Sequence, residues 1–398
     1  MCTLPERVIK PPVELADIFR MHGDTYVQAN ILTPEQYKVF NAIKNCRTSV
    51  LGGHVEQCDQ CDAIKCSYNS CRNRHCPKCE SFKAAKWLEA RQAELLPVRY
   101  FHVVFTLPHE LNNLVLYNKQ ILYNLLFESA WETLKKLGRD PKRLNGEMGM
   151  LSILHTWGQN LSQHNHLHCI VPGGALKLNG EWKAAKNYLF PVKVLSKLFR
   201  GIFVSKLRNL YQQHQLKLPD KFTEKLFKNN FDELLDLIMK KDWVVYAKPP
   251  FTNSENLLNY LGRYTHKIAI SNYRILACDD ERVIFKWRDY SDGNKEKIME
   301  LKPEEFIRRF LSHVVPNGFM RIRSFGFMAN ACKADKIEAI QKNLQHKPNK
   351  SVEKKSVEML MLELTGKDIT LCSICKQGKL RRISEIPSRL RKTIFDTS

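Results

Sequence analysis

Two histidines separated by one residue, His166 and His168, stand at the start of an apolar run that ends at Pro172. Such a run predicts a β-strand. In a strand, residues i and i+2 point to the same face, so both imidazoles share one face while Leu167 points into the core. Two imidazoles fixed on a strand form half of a divalent-metal site, and further ligands are needed to complete it.

The preceding run MLSILHTW also predicts a strand, and the polar loop GQNLSQHN would join the two strands into a hairpin. If the hairpin pairs Trp157 with His166, then His155 lies opposite His168 on the same face and supplies a third imidazole. A shift in register could undo this arrangement. Gln159 and His164 in the loop are alternative ligands.

Tyr260 and Tyr264 lie four residues apart in the segment SENLLNYLGRYTHKIA, which predicts a helix. They are therefore neighbours on one helix face. Arg263, His266 and Lys267 place positive charge beside them, which suits a phosphate and raises the fraction of phenolate. Phenolate is the form in which tyrosine is a good nucleophile. The alternative is an aromatic pair packed in the core.

Two CxxC pairs, Cys58 with Cys61 and Cys76 with Cys79, have 14 residues between them. This spacing predicts one tetrahedral zinc site made by these four thiolates. Four further residues nearby would suffice for a second zinc: Cys46, His54, Cys71 and His75. The histidine in CRNRHC could instead face DNA, together with Arg72 and Arg74. Cys66 is left over. Cys372 and Cys375 form an isolated CxxC, either half a zinc site or two ordinary thiols.

Charge and composition favour a polyanionic partner. The chain of 398 residues has 63 Lys and Arg against 41 Asp and Glu, a formal net charge of +22. This excess is spread along the chain, as expected for a protein that binds nucleic acid. No apolar run is long enough to span a membrane, and the N-terminus lacks an apolar signal core, so we expect a cytoplasmic protein. Thirteen cysteines in a reducing compartment then indicate metal binding rather than disulfides.

Strands interleaved with helices, without regular βαβ spacing, predict an α+β fold with an antiparallel sheet behind a small metal-binding module. We expect three regions: a helical and zinc-binding domain over 1–95, a sheet domain over 96–330, and a Lys-rich linker with a basic tail over 331–398.

Taken together, CRNRHCPKC, YFHVVFTLP, LHTWGQNL, HNHLHCIVPGG, YLGRYTHKIAISN and EEFIRRFLSHVVPNGFMRIR resemble rolling-circle transposases of the insertion sequence ninety-one type. The resemblance covers about residues 12 to 330. It implies an HUH endonuclease fold, with a central antiparallel sheet flanked by helices, preceded by a transposase zinc-binding domain. Asn165 departs from the family, which usually has Pro before the histidine pair.

The resemblance also implies roles. His166 and His168 would hold Mg²⁺ or Mn²⁺ on the scissile phosphate, and Tyr260 and Tyr264 would form 5′-phosphotyrosine links with single-stranded DNA at the element ends and target. Alternatives are a plasmid replication initiator or relaxase of the same chemistry, a non-catalytic zinc-containing DNA-binding protein, or a metal-dependent hydrolase that uses water. The sequence does not fix the oligomeric state, the number of zinc ions, or whether both tyrosines are essential.

Overall fold

The computed structural model describes residues 11–92, 94–186, 188–218, 231–248, 250–251, 256–257, 260–262, 267–346 and 355–389. It is a mixed α+β structure, which confirms the predicted fold class. The strands are β1 (Gly53–Cys58), β2 (Ile64–Tyr68), β3 (Tyr100–Thr106), β4 (Gly149–Trp157), β5 (Gln163–Pro172), β6 (Gly174–Leu176), β7 (Trp182–Ala184), β8 (Val245–Ala247), β9 (Ile275–Cys278), β10 (Val283–Asp289), β11 (Lys295–Leu301), β12 (Ile322–Gly326) and β13 (Leu380–Ile386).

The helices with defined limits are α1 (Leu15–Ala29), α2 (Pro34–Lys44), α3 (Pro77–Gln92), α4 (Asn112–Tyr117), α5 (Lys119–Arg139), α6 (Val192–Gln212), α7 (Phe231–Lys240), α8 (Pro303–Ser312), α9 (Lys333–Asn343) and α10 (Val357–Thr365). Residues 256–257 and 260–262 are also helical. Local sequence explains the clearest boundary: α2 begins at Pro34 because Thr33 and Gln36 form a reciprocal capping box.

A five-stranded antiparallel sheet, in the order β12-β4-β5-β3-β8, forms the centre of the molecule. Alternation along β5 divides its two faces. Leu167, Cys169 and Val171 are fully buried against α5, α6 and α7. On the other face, Ile170 packs beside Leu257 from the helical segment that precedes Tyr260. The histidines of β5 therefore lie under the segment that carries the tyrosine.

A second core joins α1, α2 and α8 to a three-stranded sheet of order β11-β10-β9. Phe285 of β10 and Phe306 of α8 are fully buried there, with their ring centroids 5.7 Å apart. Arg274 directly precedes β9, and its side chain donates a hydrogen bond to the backbone oxygen of Gln159 in the loop between β4 and β5. This contact connects the small sheet to the histidine hairpin.

The N-terminal module contains a three-stranded sheet of order β13-β1-β2. Its third strand comes from the far end of the chain: Gly53 pairs with Ile386 and Cys58 with Leu380. This strand belongs to the region 331–398, which the sequence predicts to be a Lys-rich linker and a basic tail. In the structure its residues form α9, α10 and β13, and β13 completes the sheet of the N-terminal module.

Candidate functional site

Three histidines from the central hairpin converge in the structure. His155 of β4 pairs directly with His166 of β5, and the ligand atoms of His155, His166 and His168 lie within 4.8 Å of one another. The predicted register is wrong by two residues, because His155 faces His166 instead of His168; a bulge between His155 and Trp157 then shifts the pairing by one more residue, so Trp157 pairs with Gln163. A shift of two keeps each side chain on its face, so the three imidazoles still share one surface.

The spacing of these imidazoles fits one metal ion. Nε2 of His166 and Nε2 of His168 are 3.1 Å apart. An octahedral ion about 2.1 Å from its ligands places adjacent ligands about 3.0 Å apart. The Nδ1 of His166 lies 2.7 Å from the backbone oxygen of His164, so Nδ1 carries the proton and Nε2 keeps its lone pair for a metal.

Burial keeps His166 and His168 in the neutral form that binds metals. All three imidazoles are buried. Loss of hydration lowers the pKa of His166 to about 3, and burial together with the charges of its histidine neighbours lowers the pKa of His168 well below its ordinary value. Trp157 stacks on His155 with ring centroids 4.9 Å apart and closes that side of the site.

The hydroxyl of Tyr260 contacts this site at His168 and also contacts a fourth histidine, His102, which no sequence pattern singled out. Its hydroxyl oxygen is 2.9 Å from Nδ1 of His168 and 2.5 Å from Nε2 of His102 on β3. Burial lowers the pKa of His102 to about 3, so His102 is neutral and Nε2 can accept a hydrogen bond from the phenol. A single histidine in the apolar run YFHVVFTL carries no sequence signal that distinguishes it from a core residue.

A groove of about 930 Å³ runs from the tyrosine segment along the small sheet. Six lysines and arginines line it, and its three glutamates each form an ion pair with Lys78, Lys286 or Arg321, so the groove carries net positive charge. Tyr273 and Tyr290 are also in its lining and are largely exposed. Positive charge interleaved with accessible aromatic rings is the composition of single-strand-binding surfaces.

Four cysteines of the N-terminal module form the first sulfur cluster: Cys46, Cys71, Cys76 and Cys79. Sγ of Cys79 is 3.6 Å from Cys46 and 3.7 Å from Cys71. A tetrahedral zinc with bonds of about 2.3 Å separates its sulfurs by about 3.8 Å, so these thiols fit zinc. Hydrogen bonds from the thiols of Cys71 and Cys76 lower the pKa of Cys46 to about 7, although Cys79 opposes this, and the pKa values of Cys71 and Cys76 are raised in turn.

The other CxxC of the module takes part in a different cluster. Cys58 and Cys61 meet Cys372 and Cys375, with sulfur separations of 3.6 Å (Cys58–Cys375) and 3.8 Å (Cys61–Cys372). The prediction that Cys58, Cys61, Cys76 and Cys79 share one site is therefore corrected: the two CxxC pairs belong to separate clusters. Linear proximity misled the assignment, because a zinc site is completed by whichever thiols the fold brings together.

Other candidate residues lie outside these clusters. His54 faces Glu56, with 3.6 Å between its Nε2 and the carboxylate. His75 is buried next to the first cluster, and burial lowers its pKa well below the ordinary value. Gln159 donates to the hydroxyl of Tyr290 instead of reaching the histidines. His164 keeps its ring beside His166 but supplies no ligand to the three-histidine group.

The predicted DNA contacts divide similarly. Arg72 is exposed, whereas the guanidinium of Arg74 donates to the backbone oxygens of Phe319 and Pro316. Lys267 lines the groove, and burial lowers its pKa. Arg263 and Tyr264 lie outside the described residues, so their roles stay predictions.

Comparison with protein families agrees with this geometry. Residues 149–336, which include the three histidines and Tyr260, match a family model described as a putative transposase. Residues 18–107 match the transposase zinc-binding domain of the IS91 type. The two matches thus identify a transposase that carries a zinc-binding domain.

Two relatives extend the match over most of the chain. A putative transposase, y4qJ, of Sinorhizobium fredii is 44% identical over 92% of this chain and 94% of its own length. The transposase for insertion sequence element IS801 of Pseudomonas savastanoi pv. phaseolicola is 28% identical over 72% of this chain and 68% of its own. The chain belongs to the IS91 family of transposases, which sets aside the replication initiator and relaxase alternatives. No solved structure matches it.

Among the described residues, no helix combines the length and apolar character needed to cross a bilayer.

Proposed function

We propose that this transposase cuts single-stranded DNA at the ends of its element through a covalent tyrosine–phosphate link. The observation that carries the proposal is the position of the Tyr260 hydroxyl, 2.9 Å from a histidine of the three-histidine group. A nucleophile beside a set of metal ligands is the arrangement that phosphoryl transfer to a side chain requires.

The residues divide the work as follows. His155, His166 and His168 would hold Mg²⁺ or Mn²⁺, which when bound polarises the scissile phosphate and offsets its charge. His102 accepts a hydrogen bond from Tyr260 and fixes the direction of the phenol oxygen. The bond from the phenol oxygen to phosphorus forms as the bond to the 3′ oxygen breaks; the phenol releases its proton, and the departing 3′ oxygen takes one up to become a 3′-OH. Attack by a later 3′-OH reverses the step and joins strands.

The groove supplies a path for the strand that enters the site. Gly262, two residues after Tyr260, and Lys267 both line it, so the groove reaches the segment that carries the tyrosine. Lys286 and the exposed Arg288 would face phosphates, while Tyr273 and Tyr290 offer rings on which bases stack. Arg72 and Arg263 would extend this basic surface, and Tyr264 would provide a second nucleophile one helical turn from the first.

We also propose that the first cluster binds zinc and stabilises the N-terminal module on which α1 and α2 pack. The module and the nuclease region would follow the predicted limits of 1–95 and 96–330. The protein would act on bacterial DNA in the cytoplasm.

Substitution of the β5 histidines tests the nuclease proposal. His166→Ala combined with His168→Ala should abolish cleavage of a labelled single strand from the element end, yet bind that strand almost as tightly as the wild type. Binding in both proteins should weaken steeply with salt, because it depends on phosphate contacts. His109→Ala, which changes an imidazole with an exposed fraction of 81%, is the matched control and should cut normally. Normal nicking by the double variant in Mg²⁺ would disprove the metal-site assignment.

A further inference from the structure

The second sulfur cluster, formed by Cys58, Cys61, Cys372 and Cys375, joins the N-terminal module to the C-terminal segment. The zinc-domain match covers Cys58 and Cys61 but ends at residue 107, whereas their partners are Cys372 and Cys375. Cys61 and Cys372 are 311 residues apart in sequence. Such a pairing arises only if the fold returns the C-terminal segment to the N-terminal module.

The geometry of this cluster is that of a zinc site rather than of disulfides. Its sulfur separations of 3.6 and 3.8 Å match the edge of a ZnS₄ tetrahedron, about 3.8 Å, and far exceed a sulfur–sulfur bond of about 2.05 Å. Backbone N–H groups of Gln60, Ile374 and Gly378 point at the sulfurs of Cys58, Cys372 and Cys375, at 3.4, 3.4 and 3.3 Å. N–H donors directed at sulfur stabilise thiolate ligands.

Close approach of the two CxxC turns depends on a glycine. A β-carbon at Gly378 would lie 2.4 Å from Sγ of Cys58, well inside van der Waals contact. The same region is tied together by the backbone, because the N–H of Asp59 donates to the oxygen of Lys379 at 3.1 Å and the N–H of Lys379 donates to the carboxylate of Asp59 at 2.8 Å. The absence of a side chain at residue 378 lets the C-terminal turn seat against the hairpin.

We propose that Cys58, Cys61, Cys372 and Cys375 bind a second zinc ion that fixes the C-terminal segment, 355–389, to the N-terminal module. The zinc holds β13 in register on β1. It also positions α10, whose Met361, Leu364 and Thr365 form part of the groove wall. The metal thus links the two ends of the chain and sets one wall of the groove that we assign to DNA. The site itself does not depend on the nuclease chemistry.

Metal content tests the site directly. The full-length variant Cys372→Ser/Cys375→Ser, purified without chelator, should contain one zinc per chain fewer than the wild type. Cys66→Ser is the matched control, because Cys66 is exposed and belongs to neither cluster; it should keep the wild-type zinc content. Gly378→Ala leaves all four ligands in place and should also lose the second zinc. Equal zinc content in the wild type and the double variant would overturn the proposal.

Tethering is tested by cutting the chain. A specific protease site inserted between Lys350 and Ser351 allows the C-terminal piece to be separated from the remainder. We expect that piece to co-elute with the body of the protein in the wild type and in Cys66→Ser, and to dissociate in Cys372→Ser/Cys375→Ser or after chelation. Retention of the piece in all four samples would show that zinc does not hold it. If a disulfide holds the piece in the wild type, so that reductant alone releases it, the zinc assignment is equally refuted.

Discussion

Arg321 is buried beside the histidine site, and its removal should be far more costly than removal of a surface arginine with better hydrogen bonds. Its guanidinium lies 3.5 Å from the carboxylate of Glu80, and both side chains are almost fully buried. It also donates to the backbone oxygen of Lys267 at 3.4 Å and lies 6.0 Å from the centroid of Trp157, which stacks on His155. Burial lowers the pKa of Arg321 to about 10, although the nearby Glu80 carboxylate opposes this.

Truncation of one partner of a buried ion pair costs about 3–5 kcal/mol, because the other charge loses attraction that offset its burial. The separation of 3.5 Å is long and Glu80 can take up a proton, so we expect the lower end, about 3 kcal/mol, for Arg321→Ala. Arg308 makes two shorter hydrogen bonds to Glu305, at 2.6 and 2.8 Å, but its side chain is 58% exposed. Arg308→Ala should therefore cost less than about 1 kcal/mol.

Urea unfolding followed by circular dichroism measures both losses. A combined variant, Arg321→Met with Glu80→Gln, should recover much of the stability, because it removes the buried Glu80 charge together with that of Arg321. Equal losses for Arg321→Ala and Arg308→Ala would refute the argument that burial decides the cost. A combined variant no more stable than Arg321→Ala would refute the argument that the lost attraction between Arg321 and the buried Glu80 carboxylate causes the cost.

Two further predictions concern the groove and acid stability. Tyr290→Ala should weaken binding of a single-stranded oligonucleotide, measured by fluorescence anisotropy, by about 5- to 150-fold, which corresponds to the loss of one stacked base. Tyr117→Ala is the control, because Tyr117 is exposed and lies outside the groove lining. Equal losses of affinity in the two variants would contradict the groove assignment. Burial lowers the pKa of His313 to about 4, so the unfolded state binds a proton that the folded state does not between about pH 6.5 and 4, and stability falls as the pH drops through that window. His313→Gln should reduce this slope by up to about 1.4 kcal/mol per pH unit in urea unfolding at pH 7, 6 and 5, and an unchanged slope would show that His313 does not contribute.

Residue composition predicted the two strands of the histidine hairpin, because a short apolar run is a local property of the sequence. The runs that contain His155 and His168 are strands β4 and β5, and β4 is buried along its whole length. The predicted pairing of His155 with His168 was wrong by two residues, because the register depends on how the hairpin loop closes and not on the strand sequences alone. An error of an even number of residues leaves each side chain on its predicted face, so the three imidazoles still converge.

Contacts between distant segments could not be predicted in the same way. The position of His102 beside Tyr260 depends on β3 lying next to β5 in the sheet, which no local pattern specifies. The partners of Cys58 and Cys61 depend on the return of the C-terminal segment. An isolated CxxC at Cys372 was the only signal, and a single pair does not indicate which other thiols complete its site.

The central claim is that tyrosine chemistry cuts the DNA, and covalent capture tests it most directly. Protein incubated with Mg²⁺ and a single-stranded element end labelled downstream of the cut should give a band on a denaturing gel that contains both protein and DNA. Tyr260→Phe with Tyr264→Phe keeps both rings and removes only their oxygens, so this variant should bind the strand and form no adduct. Nicking should survive at least one of the two single substitutions. A 5′-linked adduct formed by the double variant would place the nucleophile elsewhere and contradict the account.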